Sequence, residues 1–134
     1  MLKKFTYTTK TRLEMIDVTA DVAQAVSDFG VNYGLVYVFS PHTAAAVTVM
    51  EATDPNLKKD LNHALSKLFP YKDPDYTHLG NNADAHLKVA TLGAGQTLII
   101  DNGHIILGEW QGIYLCELDG PRQREIYIKV AQGM

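Results

Sequence analysis

Residues 124–130, Arg-Glu-Ile-Tyr-Ile-Lys-Val, set Ile126, Ile128 and Val130 on one side and Tyr127 and Lys129 on the other. A period of two is the repeat of a β-strand with one buried face; a helix would scatter these residues round its circumference. The same alternation runs over Lys3–Lys10, with Phe5, Tyr7 and Thr9 opposed to Lys4, Thr6 and Thr8. Whatever else the chain does, both of its ends enter sheets.

Between these ends the pattern changes. Leu13–Val18 is expected as a hairpin partner of the first strand. Val18, Val22, Ala25, Val26 and Phe29 recur at helical spacing, with Thr19 placed to cap the start and Gly30 to end it. Gly34–Phe39 and Ala45–Met50 read as strands that meet at Ser40-Pro41-His42-Thr43. Asp54-Pro55 is a helix start, aspartate as cap and proline in the first turn. Leu57, Leu61, Leu65 and Leu68 form the expected buried stripe of that helix, and Pro70 stops it. Residues 70–84 form a long polar loop containing aromatics and a histidine, a length more typical of functional loops than of plain connections. A short helix is expected over Ala85–Leu92, before Gly93. Asn102-Gly103 marks a hairpin, and Asp119-Gly120-Pro121 marks a second. The sum is an α+β fold: a single compact domain over residues 1–134, with β-rich antiparallel sheets and two main helices.

Composition narrows the function classes. The net charge is −3 and the chain has one cysteine, Cys116. An acidic balance disfavours a nonspecific nucleic-acid surface, and a lone cysteine leaves no internal disulfide. No apolar run approaches the roughly 20 residues of a membrane span, and the start lacks an apolar leader core. These features predict a cytoplasmic protein with no nucleic-acid or membrane partner.

The chemistry-bearing residues lie at element ends. Of the five histidines, His63 falls on the polar side of a helix and His104 at a strand start, both with ordinary surface roles. His42, His78 and His86 each sit at a loop or element end among polar neighbours. Two readings stand side by side: three imidazoles gathered as metal ligands with an open position, or histidines hydrogen-bonded into a polar loop. Glu51, Asp54 and Glu109 are candidate general bases. Asp54 has a sufficient structural task as a cap, whereas Glu51 ends a strand beside what is expected to be the His42 corner. Arg122 and Arg124, one residue apart, share a strand face; their forked guanidiniums suit phosphate or carboxylate, or else they solvate an edge strand. Cys116 reads as a small buried hydrophobe, and Trp110 as a core residue.

Three blocks, FSPHTAAAVTVMEATDP, HLGNNADAHLKVATLG and LGEWQGIYLCELDGPRQREIYIKV, together resemble the YjbQ-like family across nearly the whole chain, in order. Members of that family are often labelled secondary thiamine-phosphate synthase. The resemblance implies a compact α+β domain assembling as a homotrimer, with a polar, histidine-lined cleft. It implies a catalytic and metal-binding role for His42, His78 and His86. Glu51 is kept beside them as a base from its place in the sequence. Anion or substrate contacts are expected from Ser40, Thr43, Asn82, Gln111, Arg122 and Arg124. Glu109 departs from the pattern, standing where a threonine is expected.

An enzyme acting on small phosphorylated metabolites, thiamine-phosphate synthase-like, is the first functional expectation, with Arg122, Arg124 and Lys88 on the phosphates. A histidine cluster suits zinc better than magnesium, which prefers oxygen ligands. A zinc-dependent phosphate-ester hydrolase is therefore a second expectation. A non-catalytic trimeric module that binds an anionic metabolite is the third.

Overall fold

The structure is a computed structural model, and it describes residues 1–133. The elements in chain order are β1 (Leu2–Thr8), β2 (Glu14–Asp17), α1 (Thr19–Phe29), β3 (Gly34–Phe39), β4 (Ala45–Glu51), α2 (Pro55–Leu68), α3 (Ala83–Leu92), β5 (Gly95–Asp101), β6 (His104–Ile105), β7 (Gln111–Glu117) and β8 (Gln123–Gln132). They form two antiparallel sheets, a five-stranded one in the order β1-β8-β3-β5-β6 and a three-stranded one in the order β2-β7-β4.

The alternation at the two chain ends is explained by their pairing with each other. Phe5 lies opposite Ile126 and Lys3 opposite Ile128. Ile126, Ile128 and Val130 enter the main core with Val36 and Val38 of β3 and Ile100 of β5. Against them pack Val22, Ala25 and Val26 of α1, and Val47, Ile113 and Leu115 from one face of the three-stranded sheet. The other face of that small sheet carries Ala46, Tyr114 and Cys116, which pack with Ala85 and Val89 of α3. A sheet covered on both faces loses its polar alternation, and every residue of β7 after Gln111 is buried.

This arrangement corrects several local expectations. The segment after β1 does not fold back on it as a hairpin: β2 joins β7 in the other sheet, with Ile16 opposite Leu115. The turn at Asp119-Gly120-Pro121 likewise carries the chain from one sheet to the other rather than closing a hairpin, as does the corner at Ser40–Thr43. α1 has no side-chain cap from Thr19; instead the Asp17 carboxylate accepts from the Thr19 N–H at 2.9 Å and from its hydroxyl at 2.6 Å. α2 begins as expected, with the Asp54 side chain accepting from the Asn56 N–H and Pro55 in the first turn. Its leucine stripe is shallow, however: only Leu65 is buried and Leu68 is exposed. Trp110 is 63 % exposed, on the turn before β7, and is not a core residue. No helix is long and apolar enough to cross a membrane among the described residues.

Candidate functional site

The corner between β3 and β4 is built by Ser40. This residue is buried; its hydroxyl donates to the Ala45 carbonyl at 2.7 Å and accepts from the His42 N–H at 3.3 Å. Ser40 therefore shapes the turn and is not free to bind an anion. The turn directs His42 toward β8, where its Nε2 accepts the Glu125 N–H at 2.9 Å. An imidazole that accepts at Nε2 carries its proton at Nδ1. Burial, and then the positive charge of Arg124, hold the His42 pKa below its ordinary value, which keeps the ring in this neutral state.

His78 and His86 are arranged differently. Their rings meet edge to face, with centroids 5.0 Å apart. His86 extends from α3 and places Nδ1 3.0 Å from the Thr43 carbonyl. A carbonyl only accepts, so Nδ1 carries the proton and Nε2 is open. His78, in the loop before α3, places Nε2 3.0 Å from Asn82 Oδ1. The Asn82 amide is turned that way because its Nδ2 donates to Asp119 Oδ2 at 2.9 Å. His78 therefore donates through Nε2–H and keeps Nδ1 open. Both rings line a surface cavity of about 340 Å³ with Asp75, Tyr76, Thr77, Ala83 and Leu87. His78 and Tyr76 also line a second cavity with Lys72 and Asp73.

Of the remaining candidates, Thr43 stays with the pair, lining a surface cavity of about 420 Å³ together with His42 and His86, whereas Glu51 and Gln111 lie apart from it and Arg124 is turned to Glu117. Glu51 does not share the His42 corner. It ends β4 opposite Gln111, whereas Ala45 begins β4 opposite Glu117; at the rise of an antiparallel strand the two ends lie about 20 Å apart. The Glu51 carboxylate is folded onto its own chain, accepting from the N–H and hydroxyl of Thr53 and from the Asp54 N–H. Gln111 at that same distant end accepts the Gly108 N–H at 2.7 Å. Arg124 is 6 % exposed and clamps the buried Glu117 with two hydrogen bonds of 2.9 and 2.8 Å, so it faces the seam and not a ligand. Arg122 is exposed, its Nε donating to the Asp119 carbonyl at 3.1 Å. Thr43 is exposed and contributes its carbonyl, as described. Lys88 is buried, with Nζ 3.1 Å from Asp84 Oδ2. Cys116 is buried as expected, and burial pushes its thiol up to about 12.

The expected three-histidine metal set does not form within one chain. Among the described residues no group of three or more His, Cys, Asp or Glu is placed to hold a metal ion. His42 already uses Nε2 as an acceptor. His78 and His86 do show the arrangement common to metal-binding histidines, one nitrogen donating to an oxygen and the other open. They provide two donors, one short of the three protein ligands of a catalytic zinc site.

Sequence reasoning missed the residues that support the pair. Arg12 grips Asp84 with two hydrogen bonds of 3.1 and 2.9 Å and reaches Asp119 Oδ1 at 3.4 Å, while its guanidinium lies over the Tyr71 ring at 3.9 Å. Burial alone raises a carboxyl pKa, but Arg12 and Lys88 overcome it and hold Asp84 below its ordinary value. Arg12 thereby ties the polar loop, the start of α3 and the β7–β8 turn together. Only Asp119 carried a sequence signal, and its Asp-Gly-Pro context reads as a turn.

Comparison with known proteins places the chain. The family described as UPF0047 protein YjbQ-like matches residues 3–133. The chain belongs to the UPF0047 YjbQ-like family. Its relatives include UPF0047 protein YugU of Bacillus subtilis, 42% identical over 97% of this chain and 98% of that one. A UPF0047 protein of Methanocaldococcus jannaschii is 43% identical over 97% of this chain and 94% of the relative. The crystal structure of a YjbQ/UPF0047 protein from Clostridium acetobutylicum superposes with a TM-score of 0.94 at 40% identity, covering 96% of this chain and 99% of that one. A Sulfolobus solfataricus structure, described as a protein of unknown function, reaches 0.95 at 28% identity, covering 99% and 97%. The family and its two-sheet α+β fold are thus shown, and they bring no established activity with them.

Proposed function

We propose that this UPF0047 protein is an enzyme that hydrolyses a small phosphate monoester by proton transfer at the His78–His86 pair. The observation that carries this reading is that the two touching rings each have one nitrogen held by a fixed oxygen and one left open. Histidine exchanges protons near neutral pH, and a general base paired with a general acid is what ester cleavage by water requires. One open nitrogen takes a proton from water as its oxygen bonds to phosphorus. The other, as imidazolium, gives a proton to the departing alkoxide as the P–O bond breaks. Lys72 beside the cavity supplies positive charge for one phosphate group.

Thiamine-phosphate synthase-like chemistry, implied by the sequence resemblance, makes a heavier demand. A pyrophosphate leaving group needs several cations, and Arg12, Lys88 and Arg124 are already neutralised by Asp84, Asp119 and Glu117. A zinc ion at the His78 and His86 nitrogens would polarise the phosphoryl oxygen, but needs a further donor from outside this pair.

The homotrimer belongs to the same proposal. The outer face of the five-stranded sheet exposes Leu35, Tyr37 and Ile99 side by side, and a second copy would cover them. Ile99→Lys is expected to lower the mass measured by light scattering to that of a monomer.

Phosphate release from phenyl phosphate tests the activity. Wild-type protein is expected to turn over above background, and His78→Ala and His86→Ala to lose about 10²-fold each. Folded wild-type protein that releases no phosphate from a panel of monoesters, while still binding inorganic phosphate, would favour the non-catalytic module.

A further inference from the structure

The direction of every hydrogen bond leading to His78 is set from one end. Asp119 is a carboxylate and can only accept; its Oδ1 faces Arg12, and its Oδ2 faces Asn82, with Arg122 Nη2 3.7 Å away. Asn82 must therefore present its NH₂ to Asp119, which turns its oxygen to His78. That oxygen in turn requires a proton on His78 Nε2. The path is also kept clear by the backbone. A Cβ at Gly80 would lie 2.7 Å from His78 Nε2 and 3.0 Å from Asn82 Oδ1, inside the space of the bond itself. Two independent features, a one-way chain of donors and an absent side chain, thus serve a single contact between an exposed histidine and a half-buried asparagine.

We propose that Asp119 is a positioning residue that, through Asn82, holds His78 as the Nε2–H tautomer and so keeps Nδ1 as its open nitrogen. Its consequence for catalysis rests on the histidine-pair reading, but the tautomer itself can be read without any turnover. The two ideas therefore fail separately.

The chain of donors can be reversed by substitution. In Asp119→Asn, Arg12, the nearer and less exposed of the two arginines at this carboxylate, selects the oxygen of the new amide over Arg122, which leaves its NH₂ facing residue 82. Asn82 must then turn its own oxygen to that NH₂ and present its NH₂ to His78. A ring facing a donor accepts at Nε2 and moves its proton to Nδ1. Adding Asn82→Asp restores an acceptor on both sides and returns the proton to Nε2. Long-range ¹H–¹⁵N correlation spectra of the full-length protein, at a pH where the ring is neutral, distinguish the two nitrogens directly. The expected sequence is Nε2–H in the wild type, Nδ1–H in Asp119→Asn and Nε2–H again in the double variant. A change in general stability would not move the tautomer out and back. An Nδ1–H ring in the wild type overturns the proposal whether or not the variants fold, as does an Asp119→Asn protein with the wild-type tautomer. Gly80→Ala is a second route: it should shift the His78 ring nitrogens toward the values of a free imidazole, and unchanged shifts count against the proposal.

Discussion

Two polar clusters lie on either side of the turn at Asp119, and they differ in what is left over. In the first, Arg124 binds both oxygens of Glu117, Thr9 donates to the same carboxylate at 2.8 Å, and the Asp119 N–H donates to it at 3.1 Å. Among the described residues no buried side-chain nitrogen or oxygen lacks a partner, and Glu117 is wholly buried. In the second, His78 and His86 each keep an open nitrogen beside a cavity. The same motif residues that suggested a single cleft are divided between a closed seam joining the two sheets and an open surface pair. A charged group whose partners are complete is part of the scaffold; one with capacity remaining can meet a ligand.

The largest effect is expected at the closed cluster. Removing one partner of a buried ion pair leaves the other charge without compensation, a loss of about 3–5 kcal/mol. Arg124→Ala should reduce unfolding free energy by that amount in urea titrations. The double variant Arg124→Met/Glu117→Gln keeps an acceptor for Asp119 and removes both charges, so its loss should fall short of the sum of the single losses by about 1–3 kcal/mol. Strict additivity would mean that the seam does not depend on this pair.

A smaller effect belongs to His42, which stands between the two clusters. His42→Ala strands the Glu125 N–H at a cost of about 1–3 kcal/mol, and His42→Gln restores an acceptor. The pH dependence separates the two variants from the wild type. Burial and Arg124 depress the basicity of His42 in the folded protein. The unfolded chain therefore binds this proton at a higher pH than the folded one. The contribution is fully present above the unfolded value of about 6.5 and is lost as pH falls toward the folded value. Wild-type stability should decline over that range, and His42→Gln should lack that part of the decline. Glu117 acts at lower pH: burial raises its pKa, but Arg124 and the hydrogen bonds to Thr9 and Asp119 bring it below the ordinary value. Its contribution holds above the ordinary carboxylate range and disappears only in stronger acid.

The sequence made the elements legible and, apart from the β5–β6 hairpin at Asn102-Gly103, left their pairing hidden for a definite reason. Alternation in Phe5–Thr9 and Ile126–Val130 reports that each strand has one wet face, but not which strand lies beside it. Adjacent strands were expected to pair, whereas β1 pairs with β8 and β2 with β7. The site was legible in the same partial way. Motif position singled out His78 and His86, which the fold brings into contact, yet it also selected Ser40, Glu51 and Arg124, whose side chains are engaged elsewhere. Residue type states what a group can donate or accept; only the folded chain shows whether that capacity is already taken. Arg12 illustrates the converse, since no local pattern announces a residue whose partners, Asp84 and Asp119, lie far along the chain.

The smallest effect on stability is expected at the open pair, and it tests the comparison most directly. His86 is partly exposed and makes one hydrogen bond to the protein, to the Thr43 carbonyl. A single bond of this kind contributes about 0.5–1.5 kcal/mol, and water can replace it at a partly exposed carbonyl. His86→Ala should therefore unfold within about 1 kcal/mol of the wild type, far from the loss in Arg124→Ala, while phosphate release falls by about 10²-fold. A scaffold histidine would show the opposite: a large loss of stability, with residual turnover falling only in proportion to the unfolded fraction. If His86→Ala and Arg124→Ala were equally destabilised, the open pair would be structural too, and the distinction between filled and unfilled polar groups would not locate function in this fold.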